Sequence, residues 1–274
     1  MNLALFFEGT GQGVHGKKTN VSLVYESCRD DSAAIDESTN QPIDEFQLCH
    51  LENGPGAKVG SFLLGGAVGA GWRVIFARAR RWFEQNYHRC PPPPAFSTST
   101  RVFLFGFSRG AMLARHFAAW LDKLGVEVTY LGLWDTVDAI PDLSVSEECP
   151  SNVRRARHAV AEHEARRFFA YVPLKGKQVE EELFPGCHSD VGGLYEDNHV
   201  LADIARGWVV APAIESGLKL QTPLSDLQPS TSNLRQAVRH DSRRLISNLW
   251  GLLGTAKRIF PAAMKRHLFC QNMI

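Results

Sequence analysis

Apolar runs of strand length alternate with amphipathic stretches of helix length along most of this chain. Residues 3–7 form the first run and end in Glu8-Gly9-Thr10-Gly11, which reads as a strand delivering the chain into a turn. Residues 20–27 predict a helix with Asn20 in the capping position. Residues 73–86 repeat with helical period: Val74, Ile75, Ala77, Trp82 and Phe83 share a face, and Arg78, Arg80 and Arg81 surround it. Residues 101–105 read as a buried strand. The helix predicted next, over 110–124, buries Met112, Leu113, Phe117, Leu121 and Leu124, and Gly125 suits its C-terminal cap. Further strands are predicted over 126–133 and 179–184. Further helices are predicted over 154–169, 201–216 and 235–268, the first and last of them basic. Between these lie a polar excursion (29–48), a glycine-rich stretch (54–71), a stiff proline linker (91–94) and a loop (221–234). The alternation implies an α/β fold: a mostly parallel central sheet with helices on both faces. With no internal repeat or clear break, residues 1–274 read as one domain carrying a basic, helical C-terminal segment over 235–274.

Composition narrows the function classes. A net charge of +1 gives no global case for nucleic-acid binding. Six cysteines without C-x-x-C spacing are no disulfide framework and are expected reduced. The first eight residues turn acidic too soon for a signal peptide, and no stretch of about 18 uncharged apolar residues occurs. The expectation is a protein made in the cytoplasm without signal peptide or transmembrane segment. No metal or cofactor is expected: read on a helix, His158 and His163 stand about 140° apart. Gly11-Gln12-Gly13-Val14-His15-Gly16 fits a dinucleotide fingerprint, but no second strand ending in an acid follows, and Lys18 stands where a phosphate loop needs Ser or Thr.

The chemistry concentrates at Gly106-Phe107-Ser108-Arg109-Gly110, where a buried strand runs into G-x-S-x-G and a helix begins at once. That order is a nucleophile elbow. A serine hydroxyl needs a base within hydrogen-bond reach and an acid to orient that base. Downstream, the acids at strand ends are Asp135 and Asp190, and the candidate bases are His188 and His240. The reading favours Ser108, Asp135 and His188, with His240 and Asp190 as alternates. The backbone amide of Arg109 and one from Gly9 or Thr10 would bind the oxyanion.

The sequence also resembles a family in many ordered blocks. They are Phe6-Phe7-Glu8-Gly9-Thr10-Gly11, Thr19-Asn20-Val21, Gly106 to Ala111 with Ala114-Arg115, and Gly132-Leu133-Trp134-Asp135-Thr136-Val137. Then follow His158-Ala159, Glu164-Ala165-Arg166-Arg167, Phe184 to Gly193, Leu201-Ala202-Asp203-Ile204 and His240-Asp241-Ser242. Together these resemble the α/β-hydrolase phospholipases of the first class of type VI secretion lipase effectors. The resemblance implies an α/β-hydrolase fold and a Ser-Asp-His triad, carried over to Ser108, Asp135 and His188. It implies hydrolysis of acyl esters of phospholipids, delivery by a type VI secretion system, and an immunity protein as partner. Glu8 stands where the family usually has Asp, and Leu194 where it often has a third Gly. Two rival expectations are a soluble carboxylesterase acting on small esters and an idle hydrolase scaffold that only binds. Residues 239–274 hold seven Lys/Arg and one Asp interleaved with large apolar side chains. They read either as a helix packed on the core or as a membrane-surface contact.

Overall fold

The computed structural model describes residues 1–10, 17–32, 46–54, 71–87, 100–140, 142–167, 169–223, 225, 236–241, 258–261 and 264–267. The frame is a seven-stranded sheet in the order β2-β1-β3-β4-β5-β6-β7, with every pairing parallel. Its strands are β1 (Asn2–Phe7), β2 (Gln47–Glu52), β3 (Arg101–Phe107), β4 (Tyr130–Trp134), β5 (Ala156–Ala161), β6 (Val179–Phe184) and β7 (Lys265–Arg266). The helices are α1 (Asn20–Ser27), α2 (Trp72–Tyr87), α3 (Arg109–Lys123), α4 (His188–Gly192) and α5 (Val200–Glu215).

The central strands are apolar on both faces because helices cover both. On β1, Leu3, Leu5 and Phe7 pack in one core with residues of α2 and α3; Ala4 and Phe6 pack in the other with residues of α1 and α5. The period of two is hidden in a continuous apolar run, as expected of a parallel sheet buried on both sides. The chain order reverses between β1 and β3, since β2 lies outside β1 and all later strands lie beyond β3. At such a switch point the loops leaving the carboxyl ends diverge and open a crevice. Glu8-Gly9 and Ser108 lie at the ends of those two strands.

Several sequence expectations are corrected. The basic stretch 154–169 is not a helix: its core is β5, hydrogen-bonded between β4 and β6. Alanine, arginine and histidine carry no strand preference, but small side chains fit between two neighbouring strands, and pairing on both sides overrides local propensity. The polar excursion ends in β2, an edge strand whose Gln47 side chain is buried and bonds Asn2 and the carbonyls of Arg29 and Lys219. Helix α1 is capped by Thr19 and not by Asn20: the Thr19 hydroxyl accepts from the amides of Val21 and Ser22. Asn20 instead spans to the carbonyls of Val191 and Ala202. The strand expected over 126–133 starts later, with Val128 only an isolated bridge to Val153. The helix expected over 235–268 does not reach its end, because Lys265–Arg266 is a strand on the β6 edge. The glycine-rich and proline-rich stretches and the decoy glycine motif lie largely or wholly outside the described residues.

Candidate active site

Strand β3 delivers Ser108 into a backbone conformation that L-residues rarely adopt, φ 60° and ψ −125°. Such strain persists only where the surroundings hold it. Here the Ser108 amide donates to Trp134 O at 3.0 Å, and α3 begins at the next residue. Gly110 lets that helix approach β1: a Cβ there would lie 2.1 Å from the carbonyl oxygen of Phe7. The G-x-S-x-G spacing is therefore a packing requirement of the elbow. Ser108 is the residue immediately before the N-terminus of a 15-residue helix, whose first amide is that of Arg109.

His188 opens α4, and its Nε2 lies 2.9 Å from Ser108 Oγ. Its Nδ1 lies 2.6 Å from Asp135 Oδ2. A carboxylate can only accept, so Nδ1 carries the proton and Nε2 is left to accept from the serine hydroxyl. Asp135 follows the last residue of β4 with φ 39°, and its amide donates to Ala159 O at 2.8 Å. All three side chains are out of solvent, with residue exposures of 4% for Ser108, 0% for Asp135 and 3% for His188. Burial lowers the basicity of His188, and Asp135 offsets this only in part, so its pKa is below the ordinary histidine value. Burial pushes Asp135 up, but Arg258 and His188 outweigh it and hold the carboxyl well below the usual range. The ring of His188 is also fixed by Phe107, stacked at 4.5 Å between centroids, and by the edge-on Phe169 at 4.9 Å.

The alternates His240 and Asp190 are bound to each other, His240 Nδ1 to Asp190 Oδ1 at 2.5 Å. Asp190 Oδ2 also accepts from the amide of Cys187 at 2.8 Å, and so braces the loop that carries His188. Gly186 makes room for this brace: it has φ 104°, and a Cβ there would lie 2.5 Å from the Cβ of Asp190. Neither alternate is bonded to Ser108.

Of the two oxyanion candidates on the first loop, the Gly9 amide is directed to the Glu8 carboxylate at 3.2 Å. Glu8 also accepts from the Thr19 hydroxyl at 2.8 Å, fastening the loop to the cap of α1. Burial outweighs these hydrogen bonds and raises Glu8 to about 7.

Sequence reasoning passed over Glu164 and Arg258. Glu164 Oε2 accepts from the backbone amide of His188 at 3.2 Å while a bidentate contact from Arg166 compensates its charge. Arg258 reaches both oxygens of Asp135. Glu164 stood inside a family-like block that offered a signal; Arg258 is 123 residues from its partner and had none. Among the described residues no group of three or more His, Cys, Asp or Glu is arranged to hold a metal ion, and no helix is long and apolar enough to cross a membrane.

Among solved structures, the chain is similar to an uncharacterized protein from Pseudomonas aeruginosa, at 20% identity and a TM-score of 0.56, over 85% of this chain and 48% of that one. It is also similar to the Tle1 effector solved bound to the VgrG spike of the type 6 secretion system, at 20% identity and a TM-score of 0.49, over 71% of this chain and 51% of that one. A NocB thioesterase domain, solved as a covalent complex with a fluorophosphonate nocardicin G analog, aligns at 14% identity and a TM-score of 0.41, over 78% of this chain and 93% of that one. The first of these likenesses supports the shared fold, and the chain spans about half the length of the first two proteins. No curated protein matches the sequence. The family model for the catalytic domain of Tle1-like type VI secretion phospholipase effectors matches residues 1–127 and 125–212, well over half of the chain, and the protein belongs to that family.

Proposed function

We propose that this protein is a serine hydrolase that cleaves acyl esters of phospholipids through Ser108, His188 and Asp135. The observation that carries the reading is the continuous run of two short hydrogen bonds from Asp135 through His188 to a serine in elbow conformation. His188 Nε2 takes the Ser108 proton as Oγ attacks the ester carbonyl, and Asp135 holds the tautomer and stabilises the imidazolium. The amide of Arg109 and one from the first loop, Gly9 or Thr10, bind the oxyanion that forms, with the α3 N-terminus adding its dipole. The alcohol or lysophospholipid leaves with the proton from His188. Water then attacks the acyl-enzyme by the same route in reverse, releasing the fatty acid and restoring Ser108.

Family membership supports a phospholipid substrate and delivery by a type VI secretion system, where an immunity protein would protect the producing cell. The rival reading, a carboxylesterase for small esters, shares the machinery and differs in substrate. Turnover of anionic phospholipid vesicles and of a short-chain nitrophenyl ester, each with native protein and Ser108→Ala, separates them. The proposal expects fatty-acid release from vesicles by the native protein, and a fall of at least about 10⁴-fold in Ser108→Ala on both substrates. Ester turnover without phospholipid turnover moves the assignment to the rival. Undiminished turnover in Ser108→Ala removes the serine mechanism.

A further inference from the structure

We propose that Arg258 is a positioning residue for this reaction: it clamps the Asp135 carboxylate in the orientation that serves His188, so that the C-terminal part of the chain completes the site. The inference rests on the hydrolase reading above.

The guanidinium uses its whole donor set. Nη1 donates to Asp135 Oδ1 at 2.7 Å and to Ala161 O at 3.0 Å; Nη2 donates to Asp135 Oδ2 at 3.0 Å and to Phe169 O at 2.7 Å; Nε donates to Phe169 O at 3.1 Å. The two carbonyls fix the plane of the fork independently of Asp135. What remains is a pair of parallel N–H groups aimed at both carboxylate oxygens, the geometry that makes arginine more than a charge. The Arg258 side chain is 6% exposed, so water screens the contact little. Ala161, at the end of β5, also donates its amide to Asp135 Oδ1 at 2.9 Å. Every direction of the carboxylate is thus specified: Arg258 and Ala161 on Oδ1, Arg258 and His188 on Oδ2.

The next aromatic along, Phe260, packs on Tyr171 at 5.6 Å between centroids. Tyr171 donates its hydroxyl to Glu181, Glu181 also meets His158 Nδ1 at 2.7 Å, and His158 Nε2 accepts the amide of Thr136 at 3.0 Å, one residue past Asp135. The segment 258–261 therefore meets the Asp135 turn twice, directly and through a partly buried relay. A surface salt bridge makes no such pair of contacts.

The clamp has an electrostatic consequence. His188 faces the Asp135 carboxylate and the Ser108 hydroxyl through its ring nitrogens, Glu164 through its backbone amide, Arg166 beyond Glu164, and the rings of Phe107 and Phe169. A carboxylate shared with a bidentate cation attracts the imidazolium less than a free one. Arg258 thereby keeps His188 neutral and able to act as a base to lower pH than Asp135 alone would allow.

The test uses the full chain with Arg258→Met, Arg258→Lys, Asp135→Asn and the Arg258→Met/Asp135→Asn pair, assayed on a soluble nitrophenyl ester across the acid limb, with folding followed by circular dichroism. Arg258→Met should lose about 100-fold in kcat with little change in KM, since a small misplacement of a catalytic group costs that much. Its acid limb in kcat/KM should rise by about one pH unit. Arg258→Lys should keep the native acid limb while losing kcat, because it retains charge without the fork. In the Asp135→Asn background the further loss should be less than about threefold, since Arg258 acts through that carboxylate. Native kcat and acid limb in Arg258→Met, or an undiminished loss on top of Asp135→Asn, overturns the proposal. If Arg258→Met does not fold, native kcat in Arg258→Lys does the same. Ser108→Ala assayed in parallel keeps the two claims apart: activity there removes the hydrolase reading, whereas an inactive Ser108→Ala beside native-like Arg258 variants removes only the clamp.

Discussion

Two histidine–aspartate pairs stand at the two ends of one short stretch, alike in composition and opposite in chemistry. His188 holds Asp135 at 2.6 Å and His240 holds Asp190 at 2.5 Å, both through Nδ1 and both against a buried carboxylate. Each imidazole is stacked on an aromatic ring, Phe107 for His188 and Tyr195 for His240. The difference is what the second nitrogen meets. For His188 it is the Ser108 hydroxyl, a donor, so the neutral ring is complete. For His240 it is Asp197, a second carboxylate at 3.1 Å on the surface, so both nitrogens are asked to donate and the cation is favoured. Burial lowers His188 beyond what Asp135 restores; burial also works against charge on His240, but two carboxylates outweigh it and raise the pKa. A histidine beside an aspartate favours the neutral ring or the cation according to its other neighbour.

Breaking each pair at its carboxylate should separate the two most widely. Asp135→Asn removes the acceptor that fixes the tautomer and should lower kcat about 10⁴-fold with the fold retained. Asp190→Asn weakens the bonds to Cys187 and His240 that hold the His188 loop, and should cost about 1–3 kcal/mol in urea unfolding while turnover falls less than about tenfold. Equal kinetic losses in the two variants would dissolve the distinction.

A smaller effect concerns stability against pH, because the shifts run in opposite directions. His240, raised in the folded state, contributes stability that is complete below the unfolded value of about 6.5 and is lost as pH rises through the folded value. His188, lowered in the folded state, favours the fold above about 6.5 and loses that contribution as pH falls through its folded value. Replacing His240 by Gln should therefore cost more stability at pH 5.5 than at pH 8, and replacing His188 by Gln should cost more at pH 8. Urea unfolding of both variants at the two pH values checks the sign.

The elbow could be read from local sequence because strand, tight turn and helix are contiguous and Gly106 is demanded by Gly110 and Ala111 a few residues on, although Gly110 itself is demanded by the distant backbone of Phe7 and Glu8. Strand β6 and helices α2, α3 and α5 declared themselves by length and period, each to within a residue or so. β5 did not, because its alanines and arginine become a strand only once β4 and β6 flank it, and β2 did not, because an edge strand needs little apolar pattern. Asp135 and His188 are legible as residue types at a strand end and in a glycine-flanked loop. That Asp190 belongs to His240 depends on a contact across 50 residues, and that Arg258 belongs to Asp135 on one across 123, which no local pattern encodes.

The most direct test of the central claim is the rate at which a fluorophosphonate labels the native protein, His188→Gln and His240→Gln, with the adduct mapped by mass spectrometry. The account predicts a single adduct on Ser108, formed by the native protein and by His240→Gln at rates within about tenfold, and slowed at least about 10³-fold in His188→Gln. Labelling of Ser108 at the native rate in His188→Gln, or a loss confined to His240→Gln, would contradict it.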